Sequence, residues 1–157
     1  MNEPIKYFLL PGALKTSKRP MEITTLLGSC VSVCLWDSKL LHGGMNHFMM
    51  PFWNGNGLAS PKYGNIAIKK LINSMLVFGS KREDIIAKVF GGASVLTTGE
   101  CIFNIGERNI AIQELILKEE GIAVIAKSLG GDRGRKLIFN TESGLVKMKF
   151  VQKTQIK

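Results

Sequence analysis

The sequence predicts a single mixed α/β domain on three observations. Short apolar stretches with a period of two recur along the chain. Two longer stretches, opening near Ser60 and Ile105, repeat apolar residues at helical spacing, and hairpin patterns stand near both ends. Hairpins at both ends argue against a purely parallel, doubly wound sheet. At 157 residues the chain can bury a real core in one domain, without linker or internal repeat. Residues 152–157 read as a polar, basic and flexible tail.

Taken in order, residues 5–10 read as an opening strand stopped by Pro11-Gly12. Residues 13–20 read as a basic connector carrying Lys15, Lys18 and Arg19. Residues 21–26 form a strand leading into Gly28-Ser29-Cys30, where Gly28 permits a tight bend. Val31, Val33 and Leu35 then alternate with Ser32, Cys34 and Trp36, residues 37–40 supply turn chemistry, and an apolar run continues to Met50. The 52–60 segment, FWNGNGLAS, is a loop; its Phe52 and Trp53 either contact a substrate or pack against the core edge.

Ser60-Pro61 is a helix start, followed by Ala67, Leu71, Met75 and Phe78 on one face and Gly79 as a stop. Residues 85–90 form a strand ending in Gly91-Gly92, whose amides either assist an oxyanion or merely turn the chain. Residues 93–100 read as a loop or short helical turn, and Cys101 as a small buried apolar residue. Residues 105–120 form an amphipathic helix ended by Gly121, and 122–126 a strand. The 129–135 segment, LGGDRGR, lacks the lysine and hydroxyl spacing of a phosphate loop. Residues 135–139 and 145–151 make a terminal hairpin.

Composition excludes several classes. Hydrophobic residues make up 45% and charged residues 21%, as in soluble globular chains. No apolar run approaches the roughly 20 residues of a membrane helix, and the N-terminus lacks a signal-peptide layout, so a cytoplasmic protein without membrane insertion is expected. Three cysteines at 30, 34 and 101 form neither a disulfide framework nor a metal-ligand cluster, so no metal or other cofactor is expected. The net charge of +9 comes from 21 basic and 12 acidic residues in scattered clusters, with no aromatic-interleaved motif for nucleic acid.

Chemistry concentrates in residues 24–51. A hairpin centred between Ser38 and Lys39 pairs residues whose numbers sum to 77, which sets His47 directly opposite Cys30. A thiol beside an imidazole is the arrangement an activated cysteine nucleophile requires. Taken alone, a cysteine beside an apolar strand is more often inert packing, and a histidine among Met and Phe a hydrogen-bonded core residue. Cys34 reads as structural and His42 as an exposed turn residue.

TTLLGSCVSVCLWD and GGMNHFMMP, with YGNIAIKKLI, AKVFGGA, IGERNI and LGGDRGRKLIF, resemble the chemoreceptor glutamine deamidase family, CheD. The resemblance implies an α/β layered sandwich of mixed, largely antiparallel sheet with flanking helices. It also implies a cysteine hydrolase that converts glutamine side chains of chemoreceptor cytoplasmic domains to glutamate. Carried over by position, the catalytic residues fall on Cys30, His47 and Thr24, with Thr25 as the fallback for the third. Backbone amides around Gly28, Ser29 and Cys30 are the candidate oxyanion donors. A CheC-type chemotaxis phosphatase is the implied partner, and receptor methylesterase activity is a chemically reasonable second reaction. The rival reading is a non-catalytic adaptor that binds receptor or phosphatase through the same fold.

Overall fold

Among the residues that the computed structural model describes, 3–94 and 104–151, nine strands form two stacked sheets. In chain order these are β1 (Ile5–Phe8), β2 (Leu14–Ser17), β3 (Met21–Leu27), β4 (Val31–Asp37), β5 (His42–Asn46), β6 (Ile85–Gly91), β7 (Ala123–Leu129), β8 (Arg135–Asn140) and β9 (Val146–Phe150). Helix α1 (Gly64–Val77) joins β5 to β6, and α2 (Ile105–Glu119) lies between β6 and β7. The first sheet has the order β1-β3-β8-β9 and the second β2-β5-β4-β6-β7. Only β1/β3 and β6/β7 pair in parallel, so the sheets are mixed and largely antiparallel.

The layers follow from alternation along the strands. Val31, Val33 and Leu35 of β4, with Ala87 and Val89 of β6, face the helices, where they meet Ala67, Ile68, Leu71 and Met75 of α1 and Ile112 and Ile116 of α2. The other face of the same sheet offers Cys34, Met45 and Phe90 to Ile23, Leu27, Leu137 and Phe139 of the four-stranded sheet. A strand buried on both faces needs side chains that tolerate burial at every position, hence the near-continuous run in β4. Each large apolar side chain so buried contributes roughly 1.5–3 kcal/mol.

The helices are set by their ends. Asn104 caps α2 by accepting the amide of Glu107 at 3.1 Å. Gly64 opens α1 where the chain crosses Phe48; a Cβ there would come within 2.8 Å of the Phe48 ring and of Ile112. The helix therefore begins later than Ser60-Pro61, which instead form a turn with the Tyr63 amide bonded to the Ser60 carbonyl.

Two further expectations need correction. The basic connector contains β2, an edge strand paired antiparallel with β5, Leu14 opposite Asn46. His42 is not an exposed turn residue: it is 3% exposed at the start of β5, opposite Asp37, with Nε2 2.7 Å from Ser80 Oγ. Cys101, most of the 93–100 stretch and the 152–157 tail lie outside the described residues.

Candidate active site

Cys30 stands at the mouth of β4, just after the bend out of β3. Its flanking carbonyls are all engaged: Gly28 O by the Ala93 amide, Ser29 O by Asn109 Nδ2, and Cys30 O by the Gly92 amide. Gly91, at φ +114°, packs against the Cys30 carbonyl at a distance that leaves no room for a Cβ. The Gly92 amide is thereby spent on holding Cys30, which removes it from the oxyanion donors. The amides of Ser29 and Cys30 donate to no other residue among those described.

The β4–β5 register differs from the expected one by two. Cys34 pairs with Met45 and Asp37 with His42, so paired numbers sum to 79. The cause is the turn: Asp37 Oδ1 accepts the amides of both Lys39 and Leu40, and Leu41 takes φ +53°, giving a four-residue loop. Cys30 is therefore not directly opposite His47. The two flank the Val31–Phe48 bridge on a diagonal, a relation that typically leaves about 7–8 Å between Cα atoms. A shift of two preserves side-chain parity, so Val31 and Phe48 face the helices while Cys30 and His47 face the interior between the sheets. No hydrogen bond joins the thiol to the imidazole among the described residues.

His47 is held firmly. Its amide donates to Ala13 O and its carbonyl accepts from the Gly12 amide, which fastens β5 to the turn after β1. With β5 turned toward β2, one rung toward β4 is missing, and Asn46 Oδ1 replaces it by accepting the Val33 amide at 2.8 Å. The ring Nδ1 lies 2.7 Å from Thr25 Oγ1, which itself donates to the Leu9 carbonyl at 2.9 Å. A carbonyl only accepts, so the single Thr25 hydroxyl proton points to Leu9 and the bond from His47 is donated by Nδ1–H. The lone pair then sits on Nε2.

The hydroxyl on His47 thus belongs to Thr25, not Thr24. Met21, Ile23, Thr25 and Leu27 form the buried face of β3, whereas Thr24 lies on the outer face, paired with Phe8 and Ile138. The alternation was present in the sequence: charged Glu22 marks the outer set to which Thr24 belongs.

Burial fixes the charge state of the pair. It pushes the Cys30 thiol up, opposed by the residue's own amide, and pulls His47 down to about 4. At neutral pH the resting pair is a thiol and a neutral imidazole. Cys34 is fully buried and its thiol is also pushed up by burial, as befits packing.

Asn109 is the residue that sequence reasoning missed. It is wholly buried on α2, and its Nδ2 bridges the carbonyls of Ser29 and Met49 at 3.0 and 3.1 Å. One amide group therefore ties the thiol loop to the segment after His47. The signal was a polar residue, Asn109, followed one turn later by Gln113, on the buried stripe of α2 with Ile112 and Ile116. Beyond that segment, Phe52 is 59% exposed, so it does not pack on the core edge.

Residues 49–150 match a family model described as CheD chemotactic sensory transduction. The chain is 55% identical to a "Probable chemoreceptor glutamine deamidase CheD" of Trichlorobacter lovleyi, over 90% of this chain and 88% of the relative. It is 50% identical to the protein of the same description from Sulfurimonas denitrificans, over 96% and 97%. A further relative, from Anaeromyxobacter dehalogenans, is 39% identical over 87% and 80%. Among solved structures, the Bacillus licheniformis hypothetical protein YfiH superposes with a TM-score of 0.49 at 15% identity, over 73% of this chain and 49% of that one.

Proposed function

The chain belongs to the CheD family, and from that premise we propose that it deamidates glutamine side chains of chemoreceptors with Cys30 as nucleophile, His47 as base and Thr25 as the residue that orients the ring. The observation that carries this reading is the chain of bonds from His47 Nδ1–H to Thr25 Oγ1 to the Leu9 carbonyl. It commits the imidazole to the tautomer whose Nε2 can take a proton, on the same side of the sheet as the thiol.

In the reaction, Cys30 Sγ attacks the carboxamide carbon while its proton passes to His47 Nε2. The carbonyl π electrons move onto oxygen, and the amides of Ser29 and Cys30 receive the oxyanion. Collapse breaks the C–N bond, and the imidazolium delivers its proton to the departing ammonia, leaving a thioester. Water then attacks as His47 takes its proton, and the proton returns to the leaving sulfur as glutamate is freed. Burial raises the thiol and lowers the imidazole, so the pair rests neutral and the thiol proton passes to His47 only as the reaction proceeds.

The same thioester would form from a glutamyl methyl ester, with methanol leaving in place of ammonia, so receptor methylesterase activity belongs to this reading. So does regulation by a CheC-type phosphatase, and action in the cytoplasm, where receptor signalling domains lie. Among the described residues, no helix is long and apolar enough to cross a membrane.

Mass spectrometry of a receptor cytoplasmic fragment, incubated with the wild type and with Cys30→Ala, tests the proposal. Site-specific Gln-to-Glu conversion by the wild type alone is expected. Conversion by both would remove Cys30 from the mechanism, and binding without conversion by either would favour a non-catalytic adaptor.

A further inference from the structure

We propose that the outer face of the four-stranded sheet is a docking surface for an acidic, amphipathic helix of the protein substrate. The inference rests on the deamidase reading for the identity of that substrate, but its physical basis is separate. Both helices pack on the five-stranded sheet, and no described element covers the outer face of the other sheet. Strand register places its side chains in rows. Phe8, Thr24, Ile138 and Lys147 form one row, and Leu26, Lys136 and Lys149 the next, while Lys6 and Glu22 lie in the row before. Phe8 and Leu26 are each about half exposed, at 52% and 51%.

The charges on this face are arranged against stability. Lys136 and Lys149 are directly paired across β8 and β9, and Lys147 stands two residues from Lys149 on the same side. Like charges directly opposed in a sheet are destabilising. The ion pairs among the described residues join Lys39 to Asp84 and Arg82 to Glu120, so neither neutralises the cluster. An anionic partner would. Within the rows of Phe8 and Leu26, these two apolar side chains stand on β1 and β3 and Lys136, Lys147 and Lys149 on β8 and β9, which suits a helix with one apolar and one acidic flank.

The dimensions also fit. Four strands about 4.8 Å apart span roughly 14 Å, enough to seat one helix about 10 Å across. β1 and β3 run parallel and end at the same edge, where Leu9 and the Gly28-Ser29-Cys30 bend follow directly. A helix lying on Phe8, Leu26 and Lys136 therefore ends beside the thiol loop. Phe8 is the one aromatic residue in these rows, whereas a nucleic-acid platform stacks bases on several. Its apolar groups lie within a paired sheet rather than on a projecting loop, which favours a packed helix over insertion into lipid.

The test is binding of a helical receptor cytoplasmic fragment to the full chain in a Cys30→Ala background, read by fluorescence anisotropy at low and moderate salt. Lys136→Glu/Lys149→Glu is expected to weaken binding about tenfold or more and to flatten its salt dependence. Lys149→Glu alone converts the opposed lysines into an opposite-charge pair, so it should raise the thermal midpoint while lowering affinity, which separates docking from misfolding. Unchanged affinity in both variants, no binding of the fragment by any form, or binding of phosphatidylglycerol vesicles in its place each overturns the proposal. Charge-dependent binding of a fragment that Cys30-containing protein leaves unconverted would sustain the docking surface and overturn the deamidase reading.

Discussion

A hydroxyl that accepts from an imidazole while donating to a carbonyl can fix a ring without adding charge beside it. Thr25 has that position, so Thr25→Val should lower kcat by about tenfold to a hundredfold, while Thr25→Ser restores most of it. Thr24→Val should stay within about twofold, because its side chain faces outward; steady-state ammonia release reads all three. Burial also sets the pH response. With His47 held at about 4, the base stays unprotonated far below the usual histidine range, so kcat should be flat from pH 8 down to about 5.5. An inflection near 6.5 in a pH–rate profile would contradict this. The stability sign is the reverse of that of an ion-paired histidine. The folded value lies below the unfolded 6.5, so the unfolded chain binds the extra proton between about 4 and 6.5. Stability is fully present above 6.5 and falls by about 3 kcal/mol as pH drops through that window. Urea midpoints at pH 7 and 4.5 measure the fall, and His47→Gln should flatten it. Cys30 and His47 could be singled out from the sequence as candidates because a thiol and an imidazole are rare and chemically distinct. Choosing between two adjacent threonines needed strand parity, which the charge at Glu22 already encoded.

Helix α2 reaches the site through one side chain. Asn109→Ala would strip the donor from two carbonyls and leave a small cavity, at a cost of about 2–4 kcal/mol by urea denaturation. The same change loosens the thiol loop, so alkylation of Cys30 by iodoacetamide should accelerate. The helix itself was legible from its periodicity and its Gly121 stop, but the role of Asn109 depends on a carbonyl eighty residues earlier in the chain. Turn chemistry limited the hairpin in the same way. Asp37 visibly favours a turn, yet its two amide partners, which lengthen the loop, show only in three dimensions. The error was an even number of residues, so the faces of Cys30 and His47 came out right although their pairing did not. β2 escaped notice because a short edge strand, LKTS, carries no apolar alternation to announce it.

At the scale of the whole molecule, three layers give each surface a different task. Helices cover one face of the five-stranded sheet, Cys30 and His47 face the interior between the sheets, and the outer face of the second sheet carries lysines. Salt should therefore act on recognition and not on chemistry. Raising it from about 50 to 300 mM should lower kcat/KM on a receptor fragment several-fold, with Cys30 alkylation by a neutral reagent unchanged. A layered α/β architecture was readable from alternating strands and two periodic helices. The order β1-β3-β8-β9 was not, because it joins the two ends of the chain through contacts that no local pattern records. Holding the thiol half-buried at the edge of the space between the sheets has one more outcome. Thiolates attack peroxide, and burial raises the Cys30 thiol above the ordinary thiol value. Cys30 should thus be oxidised by peroxide more slowly than an exposed cysteine of low pKa, and trapping of its sulfenic acid with dimedone measures the difference.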